Sequence, residues 1–348
     1  MVAGGVRAAW AMLAAGLFLI ATGCSGSTAT SPRAAPPATM TTPVTVMTAT
    51  PAARGVAAAG FPADFIGVSW ATTAVTAVVA VYSAADGHLI RKLTVPLPGG
   101  GVGAPRLSPD GRTVIFSRGQ GSCAQTIDTV PLGGGREQVL VPMTGTGNNA
   151  INPGGPSYSA DGRYLIYDTV PCSPSGRALV HIRDLSTGRE LIRAGLLGDA
   201  AELASSVFLD HDSEVVSFVF TQAGLEVLRI PSMAEAVYPA PRGCRYQALA
   251  GTETELDALL QCGPGHQLSA VAVSPRTFAV TRTLIRLGSC LGGETLSLAP
   301  ADPSAMLAET YDACLPPTTR GEYRIVKIRA GQVWRVTSGQ DVPQGVSW

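Results

Sequence analysis

The stretch LSPDGRTVIFSR at residues 107–118 occurs again, little changed, as YSADGRYLIYDT at residues 158–169. Each copy has a Ser-x-Asp-Gly turn signal followed by β-branched, aliphatic and aromatic residues, a pattern typical of a tight turn and a strand. The turn aspartates, Asp110, Asp161 and Asp212, are spaced by 51 and 51 residues. An interval of this length predicts a repeat architecture.

A second series of hairpins fills the space between the turn phrases. Weaker copies of the phrase itself lie at residues 209–220, 249–262 and 298–309. The hairpins of the second series, each with two alternating strands around a turn of small residues, lie at 78–95, 126–141, 179–194, 225–238, 269–284 and 323–338. Two hairpins in each period make a four-stranded antiparallel unit, which is the blade of a β-propeller.

We therefore predict an all-β propeller of about six blades, with seven as the alternative count. Residues 64–77 and the terminal VPQGVSW are expected to supply strands to the blade where the ring closes. A β-sandwich with coincidental spacing is the alternative fold, and the two equal intervals argue against it.

The phrases SPDGR and SADGR also resemble the repeats of the TolB and WD-repeat-like propellers of bacteria. The resemblance extends over residues 107–309 and implies the fold. It does not imply an activity, since this fold serves binding platforms and enzymes alike.

The N-terminus has the features of an export signal. Arg7 precedes an apolar run of fifteen residues at 8–22, which is shorter than the roughly 20 residues of a membrane-spanning helix. The small residues leading into Cys24 resemble the lipobox of bacterial lipoproteins, although Ala21 stands where Leu is commoner. This resemblance implies that Cys24 carries a diacylglycerol and an acyl chain of the palmitate type. An ordinary cleaved signal and a secreted protein are the alternative.

Three regions follow from these features. Residues 1–23 are predicted to be a lipoprotein signal peptide, 24–60 a lipidated Cys with a flexible tether rich in Ser, Thr, Pro and Ala, and 61–348 the propeller. The balance of 25 basic against 25 acidic residues argues against a nucleic-acid partner. High use of Ala, Gly, Pro and Arg suggests an actinobacterial origin.

Six cysteines remain besides Cys24, an even number that favours disulfides in an exported chain. Cysteines that face each other in a hairpin lie symmetrically about its turn. The pairs that meet this condition are Cys244 with Cys262, centred on Glu253, and Cys290 with Cys314, centred on Asp302. Cys123 and Cys172 are left as a third pair, at equivalent places in neighbouring blades.

Motifs for catalysis and cofactors are weak. Gly155–Ser159 lacks the second Gly of a hydrolase elbow, and the Gly-rich loop at 145–150 has no βαβ unit around it. No two of the four histidines, His88, His181, His211 and His266, have helical metal spacing. The oxygen-rich segment 210–214 is the best metal candidate, but it occupies the slot of a turn. We predict no cofactor and no metal.

Two further sets of residues have a structural and a functional interpretation. The repeated turn aspartates are expected to cap their own backbone amides, with a carboxylate ring around a ligand as the alternative. Trp70, Trp334 and Trp348 are expected to fill space between blades, with a binding surface as the alternative.

The sequence thus predicts a lipid-anchored propeller on the outer face of the cell membrane. We expect it to be non-catalytic, with its rim loops or channel mouth binding an envelope protein, a wall polymer or a small ligand. The alternative is a propeller lyase or glycan-acting hydrolase, which would need two carboxylates, or a His and a carboxylate, converging in one pocket.

Overall fold

The computed structural model of the chain describes residues 61–70, 77–95, 101–119, 124–146, 149–173, 178–194, 206–209, 213–219, 224–300, 302–315, 322–339 and 342–348. These residues form six antiparallel sheets of four strands each, the blades of a β-propeller. The predicted fold class and the count of six blades are confirmed, and no α-helix occurs within these ranges.

The first three blades follow the chain from its N-terminal side. Blade one contains β1 (Asp64–Trp70), β2 (Ala77–Ser83) and β3 (Leu89–Thr94). Blade two contains β4 (Gly101–Leu107), β5 (Thr113–Gly119), β6 (Gln125–Pro131) and β7 (Gln138–Val141). Blade three contains β8 (Ile151–Tyr158), β9 (Tyr164–Pro171), β10 (Leu179–Asp184) and β11 (Glu190–Ala194).

The remaining strands complete the ring. Blade four contains β12 (Val207–Leu209), β13 (Glu214–Val219), β14 (Gly224–Arg229) and β15 (Ala234–Pro239). Blade five contains β16 (Cys244–Gly251), β17 (Leu256–Cys262), β18 (Gln267–Val273) and β19 (Val280–Gly288). Blade six contains β20 (Leu291–Ala299), β21 (Asp302–Asp312), β22 (Tyr323–Arg329) and β23 (Gln332–Gly339), and β24 (Gln344–Ser347) follows it.

The two ends of the propeller close the ring in blade one, as predicted. β24 pairs with β1, where Ile66 lies opposite Ser347, and so becomes the inner strand of the sheet β24-β1-β2-β3. The backbone N–H of Trp348 donates to the Ser297 hydroxyl of blade six at 3.0 Å. The C-terminal strand therefore links the first blade to the last.

Each of the six seams between neighbouring blades has its own apolar cluster. Side chains alternate between the two faces of a strand, and adjacent residues therefore serve different seams. In β1, Phe65 packs toward blade six while Ile66 packs toward blade two. The period-two pattern of the sequence thus builds both faces of every blade.

The repeated turn phrase has the capping role that was expected of it. The Asp110 carboxylate accepts hydrogen bonds from the Ser108 hydroxyl at 2.6 Å and the Arg112 N–H at 3.0 Å, and Gly111 has a φ of 68°. Asp161 accepts the same two bonds one blade later. Asp212 lies outside the described residues.

Candidate functional site

A groove of about 660 Å³ lies between blades five and six. One wall comes from β17, β18 and β19, and the other comes mainly from the blade-six turns around residues 302–304 and 330–331. Blades radiate from a common axis, so the gap between two neighbours widens toward their outer strands. The groove occupies this wider part of the seam.

Three side chains form a row across the blade-five wall. The register places Asp257 opposite Ala272 and Ala272 opposite Arg282, and residues opposite one another on antiparallel strands share a face. Neighbouring strands lie about 4.8 Å apart, so the acid and the guanidinium stand on either side of a methyl group. The small residue at 272 leaves a recess between a carboxylate and a cation.

Asp257 is the electrostatically unusual member of the row. Its side chain is 8% exposed. Burial, and then the charge of Glu255, raise the pKa of Asp257 to about 6, although Arg282 opposes this shift. At neutral pH a poorly solvated carboxylate faces the groove, and it favours a ligand that supplies a cation or hydrogen-bond donors.

The blade-six wall carries a carboxylate of the opposite character. Asp302 accepts hydrogen bonds from the Ser304 hydroxyl at 2.6 Å and its N–H at 3.1 Å, and it pairs with the Arg329 guanidinium at 2.6 Å. The hydrogen bond from the Ser304 hydroxyl is the main cause that lowers the pKa of Asp302. This acid is held in its charged form by the protein itself.

Apolar side chains line the space between these groups. Leu284 contributes from blade five, and Met306 and Ile328 contribute from blade six. A concave, largely apolar surface with a few fixed polar groups is typical of ligand sites. The groove therefore fits a ligand with an apolar body and a donor or cationic group placed against Asp257.

A second buried acid lies where the ring closes. Glu309 of β21 accepts hydrogen bonds from the Gly345 N–H at 2.8 Å and the Thr295 hydroxyl at 3.2 Å. Burial, with the charge of Glu294 adding to it, raises the pKa of Glu309 well above its ordinary value. Because Gly345 belongs to β24, this contact joins blade six to blade one and has a structural purpose.

Two of the predicted cysteine pairs are brought together. Cys244 and Cys262 lie opposite each other in β16 and β17 with Cα atoms 4.0 Å apart, and they form a disulfide. Cys290 and Cys314 form a second disulfide with a Cα separation of 5.0 Å. Each bond joins the first two strands of a blade at the end away from their turn.

The predicted bond between Cys123 and Cys172 and the predicted lipidation of Cys24 are not tested. Cys172 is a disulfide cysteine, and its sulfur accepts a hydrogen bond from the Asn152 amide at 2.8 Å. Cys123 and the proposed lipidation residue Cys24 lie outside the described residues, so their roles stay predictions.

The remaining candidates are dispersed. His88, His181 and His266 lie in different blades, and no cluster of three metal-ligating side chains occurs among the described residues. His211 and most of the oxygen-rich segment 210–214 lie outside those residues, as does the side chain of Trp70. Trp348 is buried in the seam between blades six and one, whereas Trp334 is 40% exposed.

Sequence reasoning missed Asp257. Its only signal is a single acid inside the apolar run LDALL at residues 256–260. Finding the groove from it would have required the strand register that sets Arg282 two strands away.

The part of the chain that the structure describes has no helix long and apolar enough to cross a membrane. A scan of protein families and a search of curated proteins find no match to this sequence. Similarity appears only at the level of solved structures.

TolB from Acinetobacter baumannii superposes with a TM-score of 0.60 at 14% identity, covering 83% of this chain and 67% of that chain. A putative TolB from Agrobacterium tumefaciens gives 0.51 at 15% identity, covering 79% and 88%. A chain of a nidogen/laminin complex gives 0.56 at 9% identity, covering 82% and 97%. At these identities the similarity shows a shared TolB-like β-propeller fold.

Proposed function

We propose that this chain is a cell-envelope lipoprotein whose propeller binds a partner without catalysing a reaction, and that the groove between blades five and six is its binding site. The carrying observation is the row Asp257, Ala272, Arg282, which sets a buried carboxylate and a cation around an open recess. The partner is an envelope protein, a wall polymer or a small ligand.

The proposed location rests on the N-terminal sequence. Lipidation of Cys24 would hold the protein on the outer face of the cell membrane, and two acyl chains make such attachment stable. The 36 residues between Cys24 and Phe61 would then link the propeller to the bilayer. A partner in the envelope is therefore within reach of the groove.

Site-specific cross-linking in intact cells tests this proposal. A photo-reactive amino acid replaces Thr254, an exposed residue of the groove, and a matched protein carries it at Thr187, an exposed turn residue of blade three. We expect a discrete cross-linked species from position 254 and none from 187. Mass spectrometry identifies the captured molecule.

Asp257→Asn tests the groove as the binding site, and Cys24→Ala tests the lipid anchor. Asp257→Asn should reduce the capture about tenfold, because a hydrogen bond to a charged group contributes roughly 1.5–3 kcal/mol. Glu322→Gln, at an acid of blade six that lies outside the groove, is the control and should leave the capture unchanged. Cys24→Ala should release the protein from membranes. Equal capture from both positions, insensitive to Asp257→Asn, would contradict the groove assignment.

One observation favours an enzyme as the second candidate. Asp257 and Asp302 line the same groove, and their pKa values are displaced in opposite directions, which is how acid and base roles are divided in glycan-acting enzymes. Turnover of wall-derived glycan by purified protein, abolished by Asp257→Asn, together with no captured partner, would favour this candidate.

A further inference from the structure

The outer strands of blades one and six carry an exposed mixture of apolar and basic residues. In β3, Leu89 to Lys92 are all exposed, and in β23, Gln332 to Arg335 are all exposed. Ile90 is 44% exposed and Trp334 is 40% exposed. Because blades one and six are neighbours in the closed ring, these two strands flank one seam.

Phe61 connects the two strands into a continuous surface. Its ring lies 5.5 Å from the Trp334 ring in an edge-on arrangement, and the Lys327 ammonium lies 5.1 Å from the Phe61 ring centroid. A shallow groove of about 460 Å³ includes Phe61, His88, Ile90 and Lys327 in its lining. We define the seam surface as Phe61, Ile90, Lys92, Lys327 and Trp334.

Lys92 lies on the blade-six side of its strand. It is opposite Ala80 in the register, and Ala80 packs in the apolar cluster of this seam. Lys327 lies opposite Trp334 in blade six. The seam surface therefore has a lysine from each blade beside its aromatic and aliphatic groups.

The acids near this surface are few and partly occupied. Asp86 pairs with His88 at 2.6 Å, and Asp64 is exposed at the edge of the shallow groove. Arg91 and Arg335 do not belong to this surface, since they lie opposite Val81 and Val326, which pack in the seams toward blades two and five. The cations that flank the exposed apolar groups are therefore Lys92 and Lys327.

Aromatic and aliphatic groups flanked by lysines are complementary to the surface of an anionic phospholipid bilayer. Trp favours the membrane–water interface, and long basic side chains extend toward headgroup phosphates while their stems stay with apolar neighbours. Each such cation strengthens attachment to an anionic surface.

The position of the seam surface relative to the proposed anchor points the same way. Phe61 belongs to this surface, and 36 residues separate it from Cys24. If these residues form the proposed flexible tether, they would span about 33 Å. The proposed tether would join the propeller at the seam surface, so this is the part of the propeller that the anchor would bring nearest to the bilayer.

We propose that the seam surface docks the propeller on the anionic bilayer to which the chain is anchored. This inference rests on the proposed lipid anchor. Docking would turn the blade-one and blade-six side of the ring toward the membrane and leave blades two to four facing the envelope. The tether alone would fix a distance, whereas the seam surface adds an orientation.

Vesicle co-sedimentation tests the docking without the anchor. The protein used is residues 25–348, which keep every strand of the closed ring. The vesicles contain phosphatidylcholine with phosphatidylglycerol, or phosphatidylcholine alone. We expect partitioning at least about tenfold stronger onto the anionic vesicles, weakening as salt is added.

Substitutions in the seam surface show which residues cause the vesicle binding. Ile90→Ser with Trp334→Ser should weaken partitioning onto anionic vesicles roughly tenfold, and Lys92→Gln with Lys327→Gln should do the same. Val139→Ser with Ile192→Ser is the matched control, since these residues are 58% and 54% exposed on blades two and three. The control should partition like wild type. Circular dichroism of each variant confirms that the propeller remains folded.

Absence of binding to anionic vesicles, equal binding to both vesicle types, or equal loss in the control would overturn the proposal. Cross-linking at the blade-five groove in cells remains a separate measurement. If Cys24→Ala releases the protein from membranes and residues 25–348 do not bind vesicles, the docking proposal is wrong and the lipid anchor is supported. If position 254 still captures a partner in that case, the groove between blades five and six remains supported as the binding site.

Discussion

In blades two, three and four, a titratable residue on the third strand lies beside a glutamate nine positions later in the chain, which is at the start of the fourth strand or immediately before it. The pairs are Asp128 with Glu137, His181 with Glu190, and Glu226 with Glu235. In blade five the same two positions hold Val271 and Val280, which pack in the apolar cluster between blades four and five. The register shows the equivalence, since Arg183 lies opposite Glu190 and Val273 lies opposite Val280.

The titratable pairs of blades two and three have partners that compensate for their burial. Arg118 pairs with both Asp128 and Glu137, while burial and then Glu137 raise the pKa of Asp128 to about 6. The nearest His181 nitrogen lies 3.6 Å from Glu190, which also accepts a hydrogen bond from the Tyr167 hydroxyl at 2.5 Å.

Blades two to four and blades five and six are therefore stabilised in different ways. Removing a charge from water costs free energy that its partners only partly return. The stability of the seams of blades two to four therefore depends on the protonation of these residues, and so on pH. Blades five and six have apolar residues and a disulfide each, with weaker turn phrases. Their stability should be sensitive to reduction, and its dependence on pH should come from the isolated buried acids Asp257 and Glu309 and not from such pairs.

The largest expected effect comes from the disulfide of blade five. Cys244→Ala with Cys262→Ala should lower the free energy of unfolding by about 3 kcal/mol, because the bond closes an 18-residue separation and its loss frees the unfolded chain. Denaturant titration under oxidising conditions measures the change.

Cys290→Ala with Cys314→Ala provides the parallel case, with a separation of 24 residues and an expected loss of the same size. A double variant that unfolds at the same denaturant midpoint as wild type would show that the disulfides do not support the second half of the ring.

A smaller effect, of the opposite sign, is expected at Glu226. Its side chain is fully buried, and burial, followed by the charge of Glu235, raises the pKa of Glu226 to about 8. The folded state then binds a proton that the unfolded state has released, so stability falls as pH rises from about 4.5 to 8. Glu226→Gln should remove this fall and stabilise the protein at pH 8 by on the order of 2 kcal/mol.

Glu190→Gln is the matched control, because the net shift in its pKa is downward. Burial acts to raise the pKa of Glu190, but hydrogen bonds with His181 and Tyr167 outweigh it. This variant should lose stability above about pH 5, since the charged form is favoured in the fold. Thermal unfolding from pH 4 to 9 compares the two. Parallel curves for Glu226→Gln and wild type would reject the assigned shift.

Much of the architecture could be predicted, because it depends on local chemistry. The turn phrase needs only Ser, Asp and Gly within a few residues, and ring closure follows from β-forming segments left over at both ends. The two cysteine pairs follow from symmetry about a turn.

The groove and the titratable pairs could not be predicted, since both depend on register. Bulges shift the pairing in many hairpins, for example between Ile127 and Asp128 in β6, and one shifted residue changes which face a side chain occupies. The spacing of nine between Glu226 and Glu235 is present in the sequence. This spacing can be recognised as a titratable pair only when blades two, three and four are superposed.

The smallest expected effect concerns the turns that distinguish the two halves. Asp110→Ala removes the acceptor for the Ser108 hydroxyl and the Arg112 N–H, and loss of such a cap costs about 1 kcal/mol. Asp161→Ala should cost the same.

In blade five the corresponding turn is closed by a hydrogen bond from the Thr252 N–H to the Glu255 carbonyl at 2.9 Å. Thr254→Ala should therefore change stability by less than about 0.5 kcal/mol. Denaturant midpoints of the three variants make the comparison. Equal values would mean that the full turn phrase stabilises the fold no more than its weaker copy does, and blades two and three would then differ from blade five only in their charges and disulfides.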